Sequence, residues 1–275
     1  MDLVIVNIWP FLLIIMMAFA GGFLAGMLGV GGGIVFVPIL QEMVKHHLAE
    51  SDKVPYILAN SLVIVFAVGI SGTIQQYKIK NTDLRASLVT GCFAVVSSLS
   101  ITFLIQYYEL HDPKLFAYIF ASILILTAIR MVFGKEKTKA ENDTVILPDL
   151  KKFIPAGLFA GVITSLTGLG GGVVMVPYFN KILKLPLKFS TGLSLSVIPI
   201  IALPLLVFYM YKQPVIALKD LQTGYIVWSL VLPIIVVAMI AAPFGIKFAQ
   251  KLSSKTLLGI FLTFIVLTII KTLFF

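Results

Sequence analysis

A glycine-rich segment occurs twice in this chain, 139 positions apart, and each copy interrupts a long apolar stretch. The copies span residues 22–38 and 161–177 and align without a gap. Eight positions carry the same residue in both copies: Gly22/Gly161, Gly29/Gly168, Gly31/Gly170, Gly32/Gly171, Gly33/Gly172, Val35/Val174, Val37/Val176 and Pro38/Pro177. A chain whose two halves each carry a broken apolar helix is typical of membrane proteins built from two repeats.

The composition indicates the bilayer as the solvent. The chain is 59% hydrophobic and 12% charged, whereas soluble domains carry about 25% charged residues. The net charge of +9 does not indicate nucleic acid, because the basic residues lie in short loops between apolar segments, where Lys and Arg orient membrane proteins. We therefore predict an integral, multi-pass protein of the plasma (inner) membrane that contacts lipid and no nucleic acid.

The apolar stretches divide the chain into two similar halves. We predict an N-terminal transmembrane repeat over residues 1–133, a cytoplasmic linker over 134–152 and a C-terminal transmembrane repeat over 153–275. The fold class is then an all-α polytopic membrane protein with two inverted-topology repeats, each with a glycine-broken re-entrant or half helix plus about four apolar helical stretches. Eight long stretches support this division: 3–28, 55–77, 84–108, 113–133, 153–167, 187–211, 221–246 and 256–275.

The distribution of basic residues predicts the orientation of the halves. If the chain turns back at each glycine break, 15 of the 21 Lys and Arg residues lie on one side and 6 on the other. If each break lies within a single crossing, the division is 12 and 9. Because cytoplasmic loops are enriched in Lys and Arg, the turning arrangement is favoured. It makes the halves inverted and places both termini outside the cell.

The glycine breaks have the chemistry of an anion site. Consecutive glycines allow positive φ and close backbone approach, and a new helix is predicted to start at Ile34 and at Val173. The first amides of a helix have no partner within the helix and lie at the positive end of its dipole, so they bind anions without a formal charge. The predicted substrate-binding backbone is Gly29, Gly31, Gly32, Gly33, Ile34, Gly168, Gly170, Gly171, Gly172 and Val173.

Packing is the alternative role for small residues in membrane helices. Ala18, Gly22 and Gly26 are spaced by four, as are Gly157, Gly161 and Ser165, and we interpret these two stripes as helix contacts. A packing stripe does not require three glycines in a row, so the breaks themselves are predicted to line a substrate.

Hydroxyl and amide side chains near the breaks are predicted to donate further hydrogen bonds to an oxyanion. Each could instead bond to its own helix or across a helix contact. Gln75 and Gln76, at the end of their stretch, suit either a gate or an interface. The predicted donors are Thr164, Ser165, Thr167, Asn60, Ser61 and Ser194, with Thr191 and Ser196 nearby.

Several kinds of site are not predicted. No Asp or Glu lies deep in an apolar stretch, where ion-coupled transporters often carry one; the nearest is Glu42. Neither a nucleophile–base pair nor a cofactor motif is present, since the glycine spacing fits neither a Rossmann nor a phosphate loop. His46, His47 and His111 lie at loop edges and Cys92 stands alone, so we predict no metal, no cofactor and no enzyme.

The paired glycine motif resembles the sulfite and organosulfonate exporter family TauE/SafE. The resemblance rests on residues 29–33 followed by Val37-Pro38, and on residues 168–172 followed by Val176-Pro177. It implies export of a small sulfur-containing anion such as sulfite or an organosulfonate. Because Thr164, Ser165 and Thr167 align with Ala25, Gly26 and Leu28, the two half-sites are chemically unequal.

The favoured hypothesis is a transporter of such an anion that works by alternating access of two inverted repeats around a midplane site. An anion channel is one alternative, and a non-transporting membrane scaffold or sensor, with glycines used only for packing, is another. No sequence feature selects an oligomeric state.

Overall fold

The computed structural model describes residues 8–44, 50–108, 112–133, 147–215 and 221–274. Most of the predicted linker, the three histidines and both chain ends lie outside these residues. The first half of the described chain contains α1 (Ile8–Leu28), α2 (Gly33–Val44), α3 (Glu50–Lys78), α4 (Leu84–Tyr107) and α5 (Pro113–Phe133).

The second half repeats this order of elements. A 3₁₀ turn (Leu150–Phe153) leads into α6 (Ile154–Thr167), and α7 (Gly172–Pro177) continues into a π turn (Tyr178–Ile182). Then follow α8 (Leu187–Tyr211), α9 (Trp228–Lys251) and α10 (Ser254–Phe274). The all-α prediction needs one correction, because β1 (Gln222–Thr223) and β2 (Ile226–Val227) pair as an antiparallel hairpin before α9. Gly224, with φ 56°, forms its turn.

Five of the helices are long and apolar enough to cross a membrane: Asp52–Lys78, Leu84–Tyr107, Pro113–Met131, Leu187–Tyr211 and Trp228–Lys251. Three shorter apolar helices accompany them: Leu12–Leu28, Gly33–Met43 and Ser254–Ile270. Large apolar side chains such as Val96, Val236 and Phe244 are exposed on the outer faces, as expected where lipid replaces water. The chain is thus a helical, multi-pass integral membrane protein.

Helices α3 and α8 form the centre and run antiparallel. A methyl group placed on Gly72 would lie 3.2 Å from Leu195 Cδ2, and beyond the end of α3 Asn81 reaches the first turn of α8. Four other helices flank this pair, α1 packed along α9 and α6 packed along α4.

Small residues allow these flanking contacts. Added methyl groups on Gly22 and Gly26 would meet the α9 backbone at Ala238 and Ala242. On the other side, Gly157 and Gly161 lie against the α4 backbone in the same manner. The predicted packing role of the two stripes is confirmed, because only glycine permits such close helix approach.

After each break, the chain lies back against the helix that precedes it. A methyl group on Gly21 in α1 would be 3.1 Å from Val35 Cγ1 and 2.8 Å from the Phe36 ring in α2. In the second half the rings of Phe153 and Phe179 lie 5.6 Å apart. Each break is therefore the point at which the chain reverses.

Candidate functional site

The two glycine breaks, residues 29–33 and 168–172, have the same backbone conformation. In the first, Gly29, Gly31 and Gly32 have φ of 74°, 72° and 90°. At the equivalent positions of the second, Gly168, Gly170 and Gly171 have φ of 69°, 74° and 73°. Residues with a Cβ rarely adopt this left-handed region. The conformation therefore requires glycine at three of the five positions.

The fourth conserved glycine of each break serves a different purpose. Gly33 and Gly172 have ordinary φ, but a methyl group on Gly33 would lie 2.5 Å from Leu169 Cα, and one on Gly172 would lie 2.6 Å from Val30 Cα. The two breaks therefore cross in direct backbone contact, and Gly33 and Gly172 are needed for that approach.

The central helices present matching faces to this crossing. Helix α3 offers Leu58, Ser61 and Val65, and α8 offers Thr191, Ser194 and Ile198, each set spaced by three and then four residues. Added methyl groups on Gly31 and Gly170 would both contact Val65 and Ile198. Gly29 lies against Thr191, and Gly168 lies against Leu58. The crossing is enclosed, since every residue of both breaks is buried.

Several buried backbone amides of the two breaks have no backbone partner among the described residues. In α2, Val35 N and Phe36 N both donate to Gly32 O at 2.9 Å, and in α7, Val174 N and Met175 N donate to Gly171 O at 3.1 Å. In the described part of the chain, no backbone hydrogen bond starts from the amides of residues 31–34 or 170–173. Buried amides of this kind favour a negatively charged partner.

Three of the predicted side-chain donors lie at the second break and bond to backbone there. Ser61 Oγ donates to Gly168 O at 3.0 Å. Thr164 Oγ1 donates to Ala160 O at 2.7 Å, and Thr167 Oγ1 donates to Ile163 O at 2.6 Å while accepting from Leu169 N at 3.3 Å. In this conformation, all three hydroxyls are therefore bonded to the protein backbone in or next to the second break.

Two other predicted donors point elsewhere. Ser165 Oγ donates to Ser98 O at 2.7 Å, which places it in the contact between α6 and α4. Asn60 Nδ2 donates to Tyr225 O at 3.0 Å and Asn60 Oδ1 accepts from Val227 N at 2.9 Å, so this side chain fastens the hairpin onto α3. The structure does not bring Asn60 or Ser165 to the crossing.

Ser194 differs from all of these. Its hydroxyl is fully buried and has no hydrogen-bond partner among the described residues. Its neighbours on α8 are satisfied, since Thr191 Oγ1 donates to Lys188 O and Ser196 Oγ bonds to Thr82 Oγ1.

A polar cluster at one end of the α3–α8 pair was not predicted from the sequence. Asp52 is 1% exposed; its carboxylate accepts from the Tyr225 hydroxyl at 2.9 Å and from Val215 N at 3.0 Å. Gln222 Nε2 donates to the Tyr56 hydroxyl at 2.7 Å. We name this the Asp52 cap, and it comprises Asp52, Tyr56, Asn60, Tyr209, Gln222 and Tyr225. Asp52, Tyr56 and Asn60 recur every four residues, a polar stripe that could have indicated a shared partner.

The opposite end of the pair carries a neutral cluster. Asn81 Nδ2 donates to Gln76 Oε1 at 2.8 Å and to Lys188 O at 2.7 Å, and Gln76 is 1% exposed. Asn81 O lies where a side chain on Gly192 would sit. We name this the Asn81 cap, and it comprises Gln76, Asn81, Thr82, Gly192 and Ser196 together with the backbone carbonyl of Lys188.

Comparison with known proteins agrees with this architecture. The family model described as Sulfite exporter TauE/SafE matches residues 13–272. A probable membrane transporter protein of Methanocaldococcus jannaschii is 29% identical over 245 residues, covering 89% of this chain and 88% of that protein. The probable membrane transporter protein YdhB of Bacillus subtilis is 27% identical over 257 residues, covering 92% and 96%. Because the family match spans both glycine breaks and nearly the whole sequence, the chain belongs to the sulfite exporter TauE/SafE family, a family of membrane transporters.

Proposed function

We propose that this protein exports a small sulfur-containing anion, such as sulfite or an organosulfonate, by alternating access of two inverted repeats. The substrate is held at the crossing of the two glycine breaks by backbone amides of residues 31–34 and 170–173. The observation that carries the proposal is that these amides are buried where the two breaks cross and donate no backbone hydrogen bond among the described residues. Neutral donors hold an oxyanion without the full charge pairing that would slow its release.

A reciprocal set of contacts supports the inverted repeats. Helix α1 packs on α9 as α6 packs on α4, and Gly33 meets Leu169 as Gly172 meets Val30. The equivalent helices α3 and α8 run in opposite directions, as a two-fold axis in the membrane plane requires. In this proposal each half helix is re-entrant, and its contacts with the helix before its break support that arrangement.

The two caps are suited to act as the two gates. Each fastens the loop that follows one central helix onto the beginning of the other. Lys78, Lys80 and Lys188 lie at the end with the Asn81 cap, so the positive-inside rule assigns that cap to the cytoplasm and the Asp52 cap to the exterior. In this proposal, the conformation in which both caps are closed is the occluded state of the cycle.

Transport by purified protein in liposomes tests the proposal. Sulfite, thiosulfate, sulfate, taurine and sulfoacetate are offered separately, and we expect saturable flux of at least one of them. Flux that rises linearly with concentration and follows voltage would instead establish a channel. Absence of both flux and ligand-dependent stabilisation for all five compounds would favour the scaffold.

Glycine variants test the crossing. Gly33→Ala and Gly172→Ala add one methyl group at ordinary φ, so they disturb the contact between the breaks without straining the backbone. We expect transport to fall about tenfold or more, which corresponds to about 1.4 kcal/mol of lost binding. Gly32→Val and Gly171→Val, at positive φ, should abolish it. Gly259→Ala is the matched control, because a methyl group there meets nothing within 4 Å. Unchanged transport by folded Gly33→Ala and Gly172→Ala protein would refute a site at the crossing.

A further inference from the structure

Two serines at equivalent places in the two halves have different hydrogen bonds. Ser61 of α3 donates to Gly168 O at 3.0 Å and thereby holds the second break. Ser194 of α8 has the corresponding position, yet its buried Oγ has no partner among the described residues. The first break therefore faces a free hydroxyl where the second break faces an occupied one.

The direction of Ser194 follows from its neighbours on α8. Thr191 precedes it by three residues and Ile198 follows it by four, so the three side chains share one helix face. Added methyl groups on Gly29 and Gly31 would lie 2.6 Å from Thr191 Cα and 2.8 Å from Ile198 Cδ1. Ser194 lies between these contacts along α8, on the helix face that packs against the breaks.

Its own helix offers an ordinary way to satisfy this hydroxyl. Serines in helices commonly donate to the carbonyl four residues earlier. Ser190 and Ser196 on the same helix do so, to Pro186 O at 3.0 Å and to Gly192 O at 3.1 Å. Ser194 does not. A buried hydroxyl without a partner is unfavourable in a folded protein and calls for an explanation.

We propose that Ser194 is the side chain that binds the transported anion, donating its hydroxyl proton to a substrate oxygen at the first break, while Ser61 has a structural role at the second. This inference rests on the proposed transport of an oxyanion and adds which side chain recognises it.

Substitution of the two serines separates the roles. Ser194→Ala removes the donor to the ligand, and we expect the Kd for the bound anion to rise about tenfold to a hundredfold, the loss typical of one hydrogen bond to a charged group. The melting temperature of the ligand-free protein should stay equal or rise, because an unsatisfied buried hydroxyl has been removed. Ser61→Ala should lower that melting temperature, because Gly168 O loses its donor.

The measurement is isothermal titration of the full chain in nanodiscs with the five compounds named above, alongside thermal unfolding. Thr102→Val is the matched control, since Thr102 Oγ1 is the other buried hydroxyl without a partner among the described residues but belongs to α4. The Kd of this variant should equal that of the wild type.

If wild-type protein binds none of the five compounds, the proposed function itself fails. If wild-type protein binds and Ser194→Ala binds equally well, or if Ser194→Ala lowers the ligand-free melting temperature, only the assignment of Ser194 is overturned. Equal losses in Thr102→Val would likewise overturn it.

Discussion

Each cap of the α3–α8 pair fastens a connecting segment onto one of the two central helices, but the two caps use different chemical groups. At one end, the segment after α8 is fastened onto α3 through a buried carboxylate and two phenols. At the other end, the loop after α3 is fastened onto α8 through amides and hydroxyls that carry no charge. One end of the helix pair is thus held through a buried carboxylate and the other through uncharged groups.

The difference follows from the lengths of the connecting segments. The α3–α4 connection spans residues 79–83, and its tight path is eased by Lys80 with φ 54°. The α8–α9 connection spans residues 212–227 and includes the hairpin. Because the longer segment covers more of the helix pair, it buries Asp52 and supplies Tyr225 and Val215 N as donors. In an alternating-access cycle, such caps would need different driving forces to open.

The largest expected effect is that of Asp52→Ala. The substitution leaves the buried Tyr225 hydroxyl without its acceptor and also removes the acceptor of Val215 N, and charge-assisted hydrogen bonds of this kind are strong. We expect the free energy of unfolding to fall by about 3 kcal/mol, measured by denaturant unfolding in detergent.

The control is Asp112→Ala, which removes an exposed carboxylate that accepts from Lys114 N at 2.8 Å. Loss of this helix-capping bond should cost about 1 kcal/mol or less. Equal losses in the two variants would mean that the Asp52 cap contributes no more than a surface contact.

The next effect is that of Asn81→Ala in the neutral cap. Two hydrogen bonds between uncharged groups are lost, so we expect about 1–2 kcal/mol of destabilisation, less than for Asp52→Ala. Gln75→Ala is the matched control, because the Gln75 side chain makes no hydrogen bond within the described residues. Its unfolding free energy should be unchanged, and a larger loss for Asn81→Ala than for Asp52→Ala would reverse the comparison between the caps.

Much of this architecture could be predicted from hydropathy and the repeat. The stretches at 113–133 and 187–211 have the same bounds as α5 and α8, because uninterrupted apolar runs with polar flanks fix the length of a span. The two breaks and the reversal of the chain at each of them could also be predicted, since consecutive glycines in an apolar helix favour a break in the helix.

The Asp52 cap could not be found in this way. Helix α3 begins at Glu50 and carries Pro55 in its interior, whereas the apolar stretch begins only at residue 55 and therefore does not include Asp52. The apolar run from residue 221 was predicted as helix, yet it forms the hairpin until Trp228. Hydropathy does not distinguish a residue buried against protein, such as Ile226, from one facing lipid.

The directions of individual side chains could not be predicted from the sequence either. Thr164 and Ser165 are adjacent and were each predicted as a donor to the substrate, but the helical turn directs Thr164 toward the second break and Ser165 toward α4. Whether a hydroxyl has a hydrogen-bond partner depends on the direction of its side chain. The sequence aligns Ser61 with Ser194 but does not show that only Ser61 has a partner.

The smallest effect concerns pH and the Asp52 cap alone. Burial, and then the hydrogen bond to Asp52, raise the pKa of Tyr225 above its ordinary value of 10.0. A raised pKa in the folded state means that its stabilising contribution is complete below pH 10 and is lost as the pH rises toward the folded value. We expect wild-type protein to lose about 1 kcal/mol of unfolding free energy between pH 10 and 11 through this residue.

In Tyr225→Phe, this part of the decrease in unfolding free energy between pH 10 and 11 should be absent. The variant should also be less stable than the wild type at neutral pH, because Asp52 loses a donor. Tyr211→Phe is the control, since Tyr211 is 83% exposed and should follow the wild-type pH profile. The measurement is unfolding free energy from pH 8 to 11 for the three proteins. Because the Asn81 cap contains no such phenol, Asn81→Ala should shift the whole profile without changing its slope. If the unfolding free energy of Tyr225→Phe falls more steeply at alkaline pH than that of the wild type, the Tyr225 hydroxyl is not protonated in the folded cap. The chemical contrast between the two ends would then have to be assigned to other groups.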